Sequence, residues 1–441
     1  MDGIFESFGV RVPEILLPSG SIDLRKWSVV ACDQYTSQPE YWESVAREAE
    51  GSPSTLNLIF PEIYLKDGDK GTRIENINRA MENYLESGIL EPQKPGFILV
   101  DRSTRHTASR KGLILAVDLE HYDYAPGSQT LIRATEGTVL DRIPPRVKIR
   151  ENAPIELPHI MLLIDDPEKT LIEKLYERRD SYQKLYDFEL MQDGGHIRGW
   201  KLEDGESLAL AAAALAKLAR GGMGGQAPLL FAAGDGNHSL ATAKAHWENV
   251  RRECGGKPAD HPARYALVEV VNVHDDGLVF EPIHRVLFGV RGTEVLENIG
   301  RICGGDARAS YRLYASTGEM EAALEKMGGR GDMHLLPFIL ENQFGLITVE
   351  GPSCTLEVGT LQSFIDELLK ENPHLEADYI HGADVVTELG SRNGCMGFYL
   401  PVMDKRDLFR TVLLDGVLPR KTFSMGEAEE KRYYLECRRI R

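Results

Sequence analysis

The residues best suited to chemistry stand together at Gly234-Asp235-Gly236-Asn237-His238-Ser239. This short run supplies a carboxylate, an amide, an imidazole and a hydroxyl beside two glycines. Gly234 and Gly236 permit left-handed backbone and close approach of a ligand. Asp235 is suited to binding a metal or acting as a base, and His238 to acting as acid, base or phosphate contact. An N-cap at Asn237 or Ser239 would explain one residue but not the set. No Gly-Lys-Ser/Thr follows the glycines, and the Gly-x-Gly-x-x-Gly spacing is absent from the turn. Nowhere does the chain carry a His-Glu-x-x-His helix or a Gly-x-Ser-x-Gly elbow.

Other candidates are scattered. Asp33-Gln34-Tyr35 directly follows the apolar run Ser28–Cys32, the place where open α/β sheets present site residues. His284-Arg285, after Pro282 at a strand edge, suits a carboxylate or phosphate. Arg133 with Glu136 is a weaker pair of the same kind, and Lys421 adds a cation after Pro419. The run Gly221–Gly225 reads as a helix stop and loop rather than a phosphate cradle.

The elements that must position these groups follow from hydrophobic periodicity. Pro228–Ala233 is wholly apolar and predicts a strand buried on both faces. Leu240–Arg252 predicts a helix. A strand–turn–helix of this kind aims unpaired amides at an anion. Strands are expected at Ser28–Cys32, Gly96–Val100, Gly112–Val117, Pro158–Ile164, Arg264–Val273, Glu281–Leu287, Gly394–Val402 and Arg432–Arg438. Helices are expected at Pro39–Glu50, Ile74–Glu86, Glu206–Arg220, Thr360–Glu371 and Lys405–Asp415, with another from Pro167 to about Tyr186. The sum is an α/β (α+β) fold, with mixed sheets and flanking helices plus a second, smaller subdomain. The expected organisation is a main domain over 1–290, a small α+β subdomain over 291–358, and a segment 359–441 returning to the main domain.

The chain has 441 residues, 42% hydrophobic and 27% charged, enough to bury a large core. A formal charge of −17 repels nucleic acid unless a strong basic face exists. Basic residues cluster at Arg102, Arg105, Arg110 and Lys111, and at Lys431, Arg432, Arg438, Arg439 and Arg441. Both clusters are short and read as solvated faces or a small anion site. Six separated cysteines without a Cys-x-x-Cys pair point to a reducing, cytoplasmic compartment. Neither a signal peptide nor a membrane span is expected. The partner is then a phosphorylated small molecule, and a homo-oligomer is left open.

Several segments together resemble the uncharacterised bacterial family catalogued as domain-of-unknown-function family 1015, often labelled ParB-like. They are Asn57-Leu58-Ile59-Phe60-Pro61-Glu62, Leu119-Glu120-His121-Tyr122-Asp123-Tyr124, Arg133-Ala134-Thr135-Glu136 through Pro145, Asp235-Gly236-Asn237-His238, Pro282-Ile283-His284-Arg285 and Leu418-Pro419-Arg420-Lys421-Thr422. The family's turn is usually Asp-Gly-His-His-Arg, so here Asn237 and Ser239 replace a His and an Arg. Its usual Pro-Tyr-Asp stands here as Ala31-Cys32-Asp33, which carries Asp33 over. The turn also resembles the phosphate-binding box of the ParB/sulfiredoxin fold, which includes kinases of free serine. That resemblance implies a ParB/sulfiredoxin-like core and a nucleotide-dependent kinase of serine or a similar hydroxy compound, using ATP or ADP with Mg²⁺. Asp235 and His238 would be catalytic. Gly234, Gly236, Asn237, Ser239, Asp33, Arg133, Glu136, His284, Arg285 and Lys421 would hold ligand or phosphate. A phosphatase on a phosphorylated small molecule and a non-enzymatic nucleotide-binding module are the alternatives.

Overall fold

The computed structural model describes residues 2–65, 67–125, 127–220, 227–256, 260–291, 295–296, 299, 308–328 and 333–441. The Gly221–Gly225 run lies outside them, as does part of the subdomain expected over 291–358. The chain divides into two compact units, Met1–Val279 with Met425–Arg441, and Phe280–Ser424. The boundaries expected from sequence were 290/291 and 358/359. The second unit instead begins with strand Phe280–Phe288, because that strand pairs with Glu376–His381 and Cys395–Phe398.

The first unit is built on a mixed sheet. Its strands run in the order Gln183–Glu189, His196–Leu202, Phe97–Ser103, Arg110–Asp118, Tyr265–Asn272, Met161–Ile164, Phe231–Asp235, Ile132–Ala134 and Tyr122–Asp123. Pairing is antiparallel from the first strand to the fifth. Met161–Ile164 is parallel to Tyr265–Asn272, and Ile132–Ala134 is parallel to Phe231–Asp235. Side chains alternate between two cores, one on each face, as the period of two requires. Phe97, Leu99, Leu113, Leu115 and Val117 enter one core, whereas Ile98, Val100 and Ile114 enter the other. Both faces are covered, which is why these strands read as unbroken apolar runs.

Helices Gly205–Leu218 and Asn237–Glu253 cover the first face through Ala211, Leu215, Leu240 and Trp247. Helices Pro39–Ala49 and Lys70–Glu86 cover the second through Trp42, Val45, Ile77 and Met81. The C-terminal residues Tyr433, Tyr434, Leu435 and Cys437 complete that second core. Each helix buries one stripe at the 3.6-residue period.

One expected element is corrected. The helix from Pro167 to about Tyr186 is only Ile172–Tyr176, and Gln183–Glu189 is instead the edge strand paired with His196–Leu202. Ladder pairing decided that segment over its local pattern. The second unit carries a sheet in the order Arg308–Tyr314, Gln343–Glu350, Met333–Leu340, Cys395–Phe398, Phe280–Phe288 and Glu376–His381. Helix Glu357–Glu371 packs into its core through Leu361, Phe364 and Ile365. The whole is a mixed α+β fold.

Candidate functional site

Strand Phe231–Asp235 delivers the turn, and Gly236 makes it. Gly236 has φ +73°, a left-handed conformation, and a Cβ there would stand 3.0 Å from the Ile160 Cα. Only glycine meets both demands without strain. Helix Asn237–Glu253 starts at the next residue, and no side chain caps it. Neither Asn237 nor Ser239 is therefore the cap. Asn237 donates through Nδ2 to the Ala233 carbonyl at 3.2 Å. Its Oδ1 is buried without a hydrogen-bond partner among the described residues. His238 turns to the loop before helix Ile143–Arg150, where its Nε2 accepts from the Val139 amide at 3.2 Å.

Three distant segments close on this turn. Tyr433–Tyr434 pairs antiparallel with Val29–Val30, and the Ala31 amide donates to the Arg432 carbonyl at 2.9 Å. That ladder brings Asp33 and Lys431 to one place from opposite ends of the chain. Lys431 Nζ lies 3.4 Å from Asp235 Oδ2, while Asp235 Oδ1 accepts from the Gly236 amide at 2.8 Å. His159, just before strand Met161–Ile164, has its Nε2 2.9 Å from Ser239 Oγ and 3.8 Å from Asp33 Oδ2. Its Nδ1 lies 2.7 Å from the Tyr434 hydroxyl.

The ring of His159 is held from both sides. The buried Tyr434 hydroxyl, which accepts from the Cys32 amide at 3.2 Å, meets its Nδ1, and Ser239 Oγ and Asp33 Oδ2 face its Nε2.

Electrostatics keeps Asp33 charged. Burial alone would raise its carboxyl, but His159, a 3.0 Å hydrogen bond from Gln34 and Lys431 outweigh burial and hold it below its ordinary value. The neighbouring Cys32 thiol is pushed up to about 12 by burial and then by Asp33, so it is not a thiolate nucleophile. Lys431 is fixed from both sides. Arg102 donates to the carbonyls of Lys431 at 2.6 Å and Glu429 at 2.5 Å, and the buried Arg432 pairs with Glu269 at 3.0 Å and with Glu436. Here the reading of the two basic clusters as solvated faces is corrected for four of their arginines. Arg102, Arg110, Arg432 and Arg438 are all buried. Each of these guanidiniums reaches backbone carbonyls or carboxylates that tie the C-terminal segment down.

The structure thus brings together Asp33, Gly234, Asp235, Gly236, Asn237 and Ser239. His238 is on the same turn but faces the Val139 loop. Arg133 is buried and donates to the carbonyls of Thr130 and Ala227, both at 2.9 Å. Glu136 is half-buried in the loop after strand Ile132–Ala134. His284, Arg285 and Lys421 belong to the second unit. His284 is buried there, accepts from the Leu400 amide at 3.0 Å, and is lowered to about 4 by burial. Arg285 is fully buried, bonds to Gln362 at 3.0 Å and lies 4.4 Å over the Tyr379 ring. Lys421 is exposed. Sequence reasoning missed His159, Lys431 and Tyr434. The signal for Lys431 was its place in a basic run, and neither His159 nor Tyr434 sits in a motif.

The sequence model of the family described as "Protein of unknown function (DUF1015)" matches residues 16–361. No curated protein matches. Among solved structures, a conserved hypothetical protein from Pyrococcus furiosus is 12% identical at a TM-score of 0.34, covering 73% of this chain and 90% of its own. A free serine kinase in complex with AMP is 11% identical at 0.38, covering 77% and 95%. SbnI with C-terminal truncation from Staphylococcus aureus is 9% identical at 0.34, covering 71% and 82%. Among the described residues no helix is long and apolar enough to cross a membrane.

Proposed function

The chain belongs to the DUF1015 family of proteins of unknown function, and we propose that it transfers a phosphoryl group between a nucleotide and a small hydroxy compound. The observation that carries this reading is the convergence on one turn. Asp33 and Asp235 both lie in the field of Lys431, and His159 reaches from Asp33 to Ser239 at the uncapped start of a 17-residue helix. The first-turn amides and the Ser239 hydroxyl would hold phosphate oxygens. Lys431 would stabilise the charge on the transferring group.

Asp33 takes the base role in this reading, because it is held ionised and its Oδ2 has His159 at only 3.8 Å. Asp235 serves to orient Lys431, since both its oxygens are engaged. Among the described residues no three His, Cys, Asp or Glu side chains gather as a metal site. Magnesium fits such a place through phosphate oxygens and one or two carboxylates, here Asp33 and Asp235, and would neutralise the phosphates when bound. The phosphatase alternative would need Asp235 and His238 as acid and base, whereas His238 Nε2 is turned to the Val139 amide and Asp235 to Lys431.

The test is phosphorus NMR of the protein with ATP or ADP, magnesium and a panel of hydroxy compounds, free serine first. A new phosphomonoester signal is expected, slowed roughly 10²–10⁴-fold in Asp33→Asn. Full turnover in Asp33→Asn would remove the base assignment. Nucleotide binding without any product would leave a binding module.

A further inference from the structure

A cleft in the first unit includes the Ser239–His159 contact, and Cys32 and Tyr434 line it beside that pair. Its volume is about 150 Å³, room for one flat ring rather than for a whole small ligand. Its walls are mostly apolar, from Phe60, Leu65, Met81, Ile149 and Leu157. Free serine has no apolar surface to cover such walls. Phosphate alone would leave them to water.

The walls are not uniformly apolar, and the exceptions select among ligands. Arg146 is paired with Glu62, and Arg150 donates to Glu156 at 2.5 Å. All four side chains line the cleft. An aliphatic chain laid against them would strip water from two ion pairs and give nothing back. A flat heteroaromatic ring does better. Its faces stack on apolar side chains and guanidinium planes, and its edges carry donors and acceptors for the carboxylates and guanidiniums. We infer that this cleft seats the base of a nucleotide whose phosphates sit at the Gly236–Ser239 turn. The inference rests on the phosphate reading of that turn.

Sequence-distant segments meet here for one purpose on this account. Phe60 and Glu62 come from the Asn57–Glu62 segment, and Arg146, Ile149 and Arg150 from the basic stretch before strand Ile155–Glu156. Ile149 and Leu157 are only half-buried and line the cleft, so a larger side chain at either extends into it.

The experiment is calorimetric titration with ADP, GDP, CDP, UDP and pyrophosphate, each with magnesium, on wild type, Ile149→Trp and Leu157→Trp. At least one nucleotide is expected to bind tenfold or more tightly than pyrophosphate. Either tryptophan should weaken that nucleotide tenfold or more and leave pyrophosphate within twofold. Nucleotides no tighter than pyrophosphate, or unaffected by both tryptophans, would overturn the base site while leaving the phosphate site standing. Failure of pyrophosphate and every nucleotide to bind would overturn both. If one variant does not fold, the other variant and the wild-type ratio still decide.

Discussion

Gly236→Ala isolates the demand that the turn places on its sequence. Two costs apply. An alanine at φ +73° adopts the left-handed region at about 1–2 kcal/mol. Its Cβ would also meet the Ile160 Cα at 3.0 Å and Cγ1 at 3.2 Å, and pressing on backbone adds about 1–2 kcal/mol. The total is about 2–4 kcal/mol. Gly51 is the matched control, with φ +71° and nothing within 4 Å of the added Cβ. Gly51→Ala carries only the left-handed cost, and the entropy that alanine removes from the unfolded chain is common to both. The difference between the variants, about 1–2 kcal/mol, measures the contact at Ile160. Urea unfolding followed by tryptophan fluorescence reads it cleanly, because Trp27, Trp42, Trp200 and Trp247 are the only tryptophans and all lie in the first unit. Equal losses in the two variants would refute the close approach. So would a Gly236→Ala protein as stable as wild type.

Three further outcomes follow from the same unit. His246 is buried, and burial, with Arg150 next, lowers it to about 4. The unfolded chain therefore takes up its proton first as pH falls below about 6.5, and stability from this residue is lost between there and about 4. His246→Gln should lose up to about 2 kcal/mol less than wild type between pH 7 and pH 5, and identical pH profiles would contradict the assignment. Tyr434→Phe leaves the Cys32 amide and His159 Nδ1 without their partner, so unfolding free energy should drop by about 1–3 kcal/mol and pyrophosphate affinity should fall with it. Glu156 is pushed up by burial but held low by Arg438 and Arg150, so its contribution is present at neutral pH and lost in acid. Glu156→Gln should cost about 3 kcal/mol at pH 7 and progressively less as the medium drops below the ordinary glutamate range, as urea midpoints across pH would show.

The strand–turn–helix was legible because each part carries a local signal. Phe231, Ala232 and Ala233 form an apolar run, Gly236 marks a left-handed residue, and Leu240, Ala243 and Trp247 repeat at helical spacing. Asp33 was legible from its position at the end of an apolar run. His159 and Lys431 were not, because their roles come from pairing. Lys431 reaches the turn only through the two-residue ladder of Tyr433–Tyr434 on Val29–Val30, about four hundred residues away in sequence. His159 reaches it because strand Met161–Ile164 lies beside Phe231–Asp235, with a register shift between Met161 and Leu162. Register and strand order leave no trace in local periodicity. Gln183–Glu189 was misread for the same reason, since only its partner His196–Leu202 makes it a strand. Arg102, Arg110, Arg432 and Arg438 looked solvated because burial of a guanidinium depends on carbonyls supplied by remote segments, as Arg102 shows with Gly194, Glu429 and Lys431.

The measurement that bears most directly on the convergent site is urea unfolding of wild type and Lys431→Met with and without magnesium–ADP at a hundred times its wild-type dissociation constant. Binding to the folded state alone should stabilise wild type by about 2.7 kcal/mol. The account predicts that most of this gain disappears in Lys431→Met. Equal gains in the two proteins, or none in wild type with ADP at millimolar concentration, would contradict a nucleotide phosphate held between Lys431 and the Gly236–Ser239 turn.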